Sequence, residues 1–195
     1  MAKGEETRHT IVGEAMRMAS TMGLGGISIG ELASSLGLSK SGLFAHFGSK
    51  ETLQIDVIHA AAELFVQKVV VPALRAPRGE PRVRALFEGW LRWGLSDELP
   101  GGCIFVSAAA ELDDRPGAVR DALVKTQRDW LDTLAQAARL AVEEGHFRRG
   151  LDVEQFGFEE YALMLGCHHH ARLLKDARSI KRTRAAFETL LSTAR

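Results

Sequence analysis

Residues 28–53 read SIGELASSLGLSKSGLFAHFGSKETL, and their punctuation predicts a helix, a tight turn, a second helix and the start of a third. Ser28 stands three residues before Glu31, the spacing of a capping box in which the hydroxyl accepts a backbone N–H and the carboxylate returns a bond to the cap. A short helix from Ile29 to Leu36 follows, and Gly37 is the left-handed residue expected to end it. Ser39 then caps a second short helix through about Phe44, His46 closes it, and Ser49 caps a third. Two short helices joined by so tight a turn cross steeply. Leu32, Leu36, Leu38, Leu43 and Phe47 supply the small core between them, while Ala33 lets the helices approach closely.

Ser39, Lys40, Ser41 and Gly42 are left outside that core, and they are what a reader of a DNA groove needs. Short hydroxyls bond base edges or phosphates, one cation meets the backbone, and a glycine permits close approach. The first turn after Ser49 offers backbone amides and Lys50 to a phosphate, because a helix N-terminus attracts anions. The order of SIGELA, a GLS turn, GLFAHF and SKETL closely resembles the N-terminal domain of the TetR (tetracycline repressor) family of transcriptional regulators. By that resemblance Ser28, Ser39, Lys40, Ser41, Gly42, Phe44, His46 and Lys50 fall on DNA-binding positions. Phe44 departs from the family, which usually has Tyr there and sets its hydroxyl on a phosphate; the missing bond is worth about 1 kcal/mol.

The whole chain has 195 residues, 46% of them hydrophobic, and formal net charge zero, so it can bury a sizeable core. Neutrality does not exclude DNA binding, because a dimer can present two small basic patches on a neutral body. Up to residue 51, Lys3, Arg8, Arg17, Lys40 and Lys50 are balanced by Glu5, Glu6, Glu14, Glu31 and Glu51. Non-specific affinity for DNA should therefore be modest and strongly dependent on salt. Neither end carries an apolar run of spanning length, and MAKGEETRHT lacks a signal-peptide core, so no membrane partner and a cytoplasmic location are expected. Cys103 and Cys167 are too few and too far apart for a disulfide framework.

Helices are expected throughout. Ile11, Ala15, Met18 and Met22 recur at helical spacing before the break at Gly23, Gly25 and Gly26. Leu53, Val57, Ala61, Leu64 and Phe65 carry the helix begun at Ser49 as far as Pro72. The expected division is a helix-turn-helix DNA-binding domain over residues 1–50 and a larger helical ligand-binding and dimerisation domain over 51–195. In the latter, a helix bearing Val83, Phe87, Trp90 and Trp93 precedes the break at Pro100 to Gly102, and a shorter one runs from Cys103 to about Asp113. A long helix from Pro116 to Gly145 has one stripe of Val119, Leu123, Thr126, Trp130, Leu134, Ala137 and Ala141, and a second of Val124, Leu131, Ala138 and Val142. The last two helices span about Val153 to Lys175 and Ile180 to Thr193. Val153, Phe156, Leu163, Cys167 and Leu174 form one stripe of the former, and Phe158, Tyr161, Ala162 and Leu165 another. A helix apolar on two sides must be covered on two sides, and a second copy of the chain is the expected second cover. The family resemblance implies the same homodimer through the last two helices.

Phe65, Phe87, Trp90, Trp93, Phe105, Trp130, Tyr161 and Met164 are candidate linings for a site taking a small apolar or aromatic ligand, although each also suits a plain core. Cys103 and His168 join this set. Cys103 follows two glycines at a helix start, where the dipole favours a thiolate, or it is simply a small buried residue. His168, His169 and His170 do not read as a metal site, because consecutive helical residues point about 100° apart. The chain holds no GxSxG elbow, HExxH, paired-cysteine knuckle or Walker loop, so neither catalysis nor a cofactor is expected. The expectation is an all-α homodimeric regulator that binds an inverted-repeat operator in double-stranded DNA and is released by a ligand, a repressor by family habit. The alternative is a helical small-molecule or metal-binding protein whose DNA reader is vestigial.

Overall fold

The structure, a computed structural model, describes residues 3–96 and 99–195. Residues 1–2 and 97–98, which the expected domains include, lie outside the described residues. The described elements are helical throughout: α1 (Lys3–Met22), α2 (Ile29–Ser35), α3 (Lys40–Phe47), α4 (Lys50–Phe65), a π-helical turn (Val66–Val70), α5 (Val71–Leu74), α6 (Glu80–Gly94), α7 (Ile104–Leu112), α8 (Ala118–Glu143), α9 (Val153–Arg172) and α10 (Ser179–Ala194).

Pro72 does not end the fourth helix as its sequence position suggests. The helical path passes through Pro72 to Leu74, with the π-helical turn immediately before it. Proline lacks an N–H, and its ring collides with the carbonyl four residues back; a wider turn moves that carbonyl aside. The stretch Lys50–Leu74 is apolar and long enough to cross a bilayer by length and composition alone. Leu53, Val57, Ile58 and Ala61 are nevertheless buried within the protein.

The chain forms two compact units, one of residues 1–64 and 97–125, the other of 65–96 and 126–195. The expected boundary near Lys50 divides the chain by function, whereas compactness follows packing. In the first unit α1 packs on α2, α3 and α7. Ile11, Ala15, Ala19, Leu24, Ile27, Leu32, Leu43 and Leu53 are almost wholly buried there. The segment after residue 98 joins this unit through close backbone approach. Gly101 N–H donates to Ser20 Oγ at 3.2 Å, and a Cβ on Gly101 would stand 1.4 Å from the Ser20 carbonyl oxygen, so only glycine fits.

In the second unit α9 packs on α10 and α6. Phe87 stacks on Phe187 at 3.7 Å, Trp90 meets Tyr161 edge-on at 6.3 Å, and Phe65 meets the edges of Trp130 and Trp93 at 4.9 and 5.4 Å. Outside this core, ion pairs join α6 to α10. Arg84 bridges Glu80 and Glu188, Arg195 pairs with Glu80, and Arg184 pairs with Glu88. The Arg195 hydrogen bond, with that of Arg84 and against the opposing effect of burial, holds Glu80 at about 2. That stabilisation is present above pH about 4.5 and is lost as pH falls toward 2, although solvent screening keeps such pairs near 0–1 kcal/mol. Leu174, expected on an inner stripe, is 55% exposed. The helix ends at Arg172, and Lys175, with φ 52°, turns the chain away.

Glu160 on α9 is an exception to every burial rule. It is fully buried, neither carboxyl oxygen has a hydrogen-bond partner, and burial pushes its acid well above the ordinary carboxylate range. A raised folded value means that Glu160 loses least stability below about pH 4.5, where it is protonated in both states, and opposes folding increasingly as pH rises toward its folded value. Glu160→Gln, which cannot ionise, should therefore raise the melting temperature, and the gain should grow from pH 4.5 to 7. Each kcal/mol would appear as about 2–4 °C in thermal unfolding followed by circular dichroism. A gain independent of pH would contradict the assignment of the strain to ionisation.

Candidate nucleic-acid interface

The reader begins with its caps. Ser28 Oγ accepts from Glu31 N–H at 3.4 Å, Ser39 Oγ from Gly42 N–H at 3.0 Å, and Ser49 Oγ from Thr52 N–H at 3.0 Å. Among the described residues no bond returns from the Glu31 carboxylate to Ser28, so only half of the expected capping box forms. Glu31 is exposed, and its carboxylate stays in water. Gly37 adopts φ 66° as the turn requires. Helix α3 runs three residues beyond Phe44, to Phe47, and is capped by Gly48 at φ 71° rather than closing at His46. Burying Phe47 beside Leu43 explains the extra turn, since residues four apart share one face.

With Leu43 and Phe47 inward, the outer edge of α3 is defined. Ser39, Lys40, Ser41, Gly42 and Phe44 are exposed, Phe44 to 48%. The two serine hydroxyls lie 3.2 Å apart, and Lys40 lies across Gly30, where a Cβ would stand 2.9 Å from its Cε. Ser28 and His46 are half-buried at the two ends of the motif. An eight-residue helix is about 12 Å long, which matches the width of a major groove. No acidic residue stands in its first turn to repel phosphate.

Three features hold this edge in place, and the sequence announced none of them. Arg8 on α1 donates to the His46 carbonyl, pairs with Asp56 and lies 4.6 Å over the Phe47 ring, so one guanidinium joins α1, the end of α3 and α4. Glu111 on α7 accepts from Leu24 N–H at 3.1 Å and Gly25 N–H at 2.8 Å. Gln54 donates to the Leu24 carbonyl at 2.8 Å and Lys50 to the Gly25 carbonyl at 2.7 Å. All four backbone polar groups of Leu24 and Gly25 are thus held by side chains of α4 and α7. Gly23 is obligatory beside them, since it has φ 79° and a Cβ would stand 1.9 Å from Glu111 Oε1. Lys50 spends one of its three donors inside the protein.

The candidate ligand residues are divided between the two units. Cys103 stands at the N-cap position of α7, buried and outside any disulfide, and Phe105 is buried in the first turn of α7, both in the first unit. Phe65, Phe87, Trp90, Trp93, Trp130 and Met164 are buried in the second, where Tyr161 and His168 are half-buried. Tyr161 donates to Gln127 Oε1 at 2.5 Å, and burial with the nearby positive charges of Arg172 and His169 lowers His168. Among the described residues no group of three or more His, Cys, Asp or Glu side chains is placed to hold a metal ion. Glu160 was not foreseen, because beside Glu159 it reads as half of a solvated acidic pair.

Residues 11–56 match the bacterial regulatory proteins of the tetR family, and residues 79–187 match the tetracyclin repressor-like C-terminal domain. No curated protein sequence matches the chain significantly. A crystal structure of a TetR transcriptional regulator from Chloroflexus aurantiacus is 26% identical with TM-score 0.87, covering 98% of this chain and 96% of that one. AibR in complex with isovaleryl coenzyme A and operator DNA is 23% identical with TM-score 0.67, covering 83% and 85%. A Saccharomonospora viridis protein described as a transcriptional regulator in complex with choline is 22% identical with TM-score 0.82, covering 96% of each chain.

The clamp on Leu24 and Gly25 gives a local test. Glu111→Ala should cost about 1.5–3 kcal/mol, the range for hydrogen bonds to a charged group. It should also speed amide hydrogen exchange at Leu24 and Gly25 well beyond that at Leu43. Unchanged exchange at those two amides would show that Glu111 does not hold the loop.

Proposed function

This chain belongs to the tetR family of bacterial regulatory proteins and is a DNA-binding transcriptional regulator, and we propose that it is a cytoplasmic, homodimeric, non-catalytic repressor released from an inverted-repeat operator by a small ligand. The observation that carries this reading is the exposed edge of α3, with Ser39, Lys40, Ser41 and Gly42 outward while Leu43 and Phe47 anchor the helix from behind. Lys40 and Ser41 meet base edges. Ser28, Ser39, His46, Lys50 and the amides of the first turn of α4 take phosphates, and Phe44 packs apolar surface against the groove.

Dimerisation is supported by a surface of α9 and α10. Phe158 is 64% exposed and lines an open groove with Ala162, Leu163, Ala186 and Leu190. A second groove continues past Gly166 along the same helix pair. An apolar face of two adjacent helices is self-complementary in an isologous four-helix contact. Two copies so joined would set their α3 helices about one DNA turn, roughly 34–36 Å, apart. Proteins of like fold bind small molecules, isovaleryl coenzyme A and choline among them. The helical second unit, with its Trp and Phe side chains, is our choice for a small apolar or aromatic ligand here. Such a ligand releases DNA by favouring a conformer that moves the two readers out of register, which links the two binding equilibria.

The division of roles is measurable with a specific and a random duplex at several salt concentrations. Lys50→Ala should weaken binding to both and reduce the salt slope by about 1, whereas Lys40→Ala or Ser41→Ala should change which sequence is preferred. Equal losses on both duplexes from all three variants would refute the assignment. Phe158→Glu should convert a dimer into a monomer in sedimentation at micromolar concentration, and a wild-type protein that sediments as a monomer would contradict the dimer.

A further inference from the structure

Among the described residues of the second unit, four side chains bury polar atoms that have no hydrogen-bond partner, and three of them have no other anchor for that group: Glu160 at both carboxyl oxygens, Trp130 at its indole N–H and His168 at Nε2. The fourth is Arg82 at Nε, whose guanidinium is already engaged, donating to the carbonyls of Leu74 and Ala76.

Helix register brings the first two together. Gly157 of α9 packs so closely on α8 that a Cβ would stand 3.3 Å from Ala135 N and 3.5 Å from Leu134 Cβ. One turn further along α9, Tyr161 bonds Gln127, two turns back along α8. The helices therefore run antiparallel at this contact, and Trp130, between Gln127 and Leu134, comes level with Glu160, between Gly157 and Tyr161. Met164 and His168 continue the Glu160 face at intervals of four residues. Phe65 packs against Trp130, and Trp93 against Phe65.

We propose that Glu160 anchors a ligand site in this unit and that its ligand is a small organic cation, an ammonium group with apolar substituents, held between the carboxylate and the neighbouring aromatic side chains. The inference rests on the ligand-released reading above and names the chemical class. A buried carboxyl without a partner costs free energy, and each candidate class relieves that cost differently. A neutral apolar molecule leaves the carboxyl unsatisfied. An anion gains no ion pair from Glu160, and no positive side chain contributes to the state of this carboxyl, which burial alone shifts toward the protonated acid. A cation displaces the carboxyl proton to solvent and pairs with the resulting carboxylate in a low-dielectric core, its substituents suit Phe65, Trp93 and Met164, and indole and phenol faces attract it further. The free N–H of Trp130 is then available to an acceptor atom on the same molecule.

The test uses the full chain at neutral pH, titrated calorimetrically with alkylammonium and alkyltrimethylammonium ions of graded length, each beside its 1-alkanol and alkanoate. The best cation should bind at least about tenfold more tightly than its alkanol and alkanoate, a difference of about 1.4 kcal/mol. Glu160→Gln should abolish that preference with little change for the alkanol, and Glu160→Asp should retain part of it. Absence of cation binding, equal affinity for the neutral and anionic probes, or a preference that survives in Glu160→Gln would each overturn the proposal. The selectivity of the wild type decides the matter even if a variant does not fold. An alkanol or alkanoate that binds best and releases operator DNA would overturn the cation while leaving the ligand-released regulator standing. A selective, Glu160-dependent cation that leaves operator DNA bound would support the site and contradict release by ligand.

Discussion

Leu24 and Gly25 occupy a loop that has no helix of its own to satisfy its backbone, and Glu111, Gln54 and Lys50 do so instead. The position of α2 depends on this, because α2 starts four residues after Gly25, and α3 is fixed against α2 by the core around Leu32 and Leu43. Arg8 closes the other side by holding the end of α3 to α4. The exposed edge of α3 is therefore set by hydrogen bonds to charged and amide side chains that approach from α1, α4 and α7. A loop held this way is local in structure yet dependent on distant parts of the chain. A change at Glu111 of α7 or Gln54 of α4 alters the support of the reader without touching the exposed edge of α3.

What the sequence made legible was whatever has a short-range cause. Ser39 and Ser49 as caps, Gly37 as a left-handed stop and Leu43 as core all follow from rules spanning at most four residues, and the structure has them as expected. Helix α3 ends beyond the expected Phe44 because Phe47 counts as a helical residue only once its burial beside Leu43 is known. Glu111 lies 86 residues from Gly25 and Arg8 lies 48 from Asp56, separations at which no pattern connects donor to acceptor. Glu160 was hidden for a different reason. A glutamate within a helix is ordinarily solvated, and only the packing of α8, through the close approach at Gly157, puts it in the core.

Stability and function pull against each other at that point. The second unit is well packed by its ring pairs and braced by the ion pairs of α6 with α10, so it can carry a buried acid that opposes its own folding. Such a group persists where the rest of the structure over-determines its position. Glu160, on the same helix as Tyr161 and Met164, adds a buried acid to the aromatic residues expected as ligand linings, and it is the ground for proposing a ligand of stated charge. The outward face of the same helix, with Phe158 and Ala162, is the one proposed above for a second copy of the chain.

The central claim is that two copies of this reader recognise a symmetric duplex, and selection from random DNA by the purified protein at physiological ionic strength, where non-specific binding is weak, tests it most directly. Enrichment of an inverted repeat with half-site centres about one helical turn apart is the predicted result. Enrichment of no sequence, or of a single asymmetric site, would contradict it.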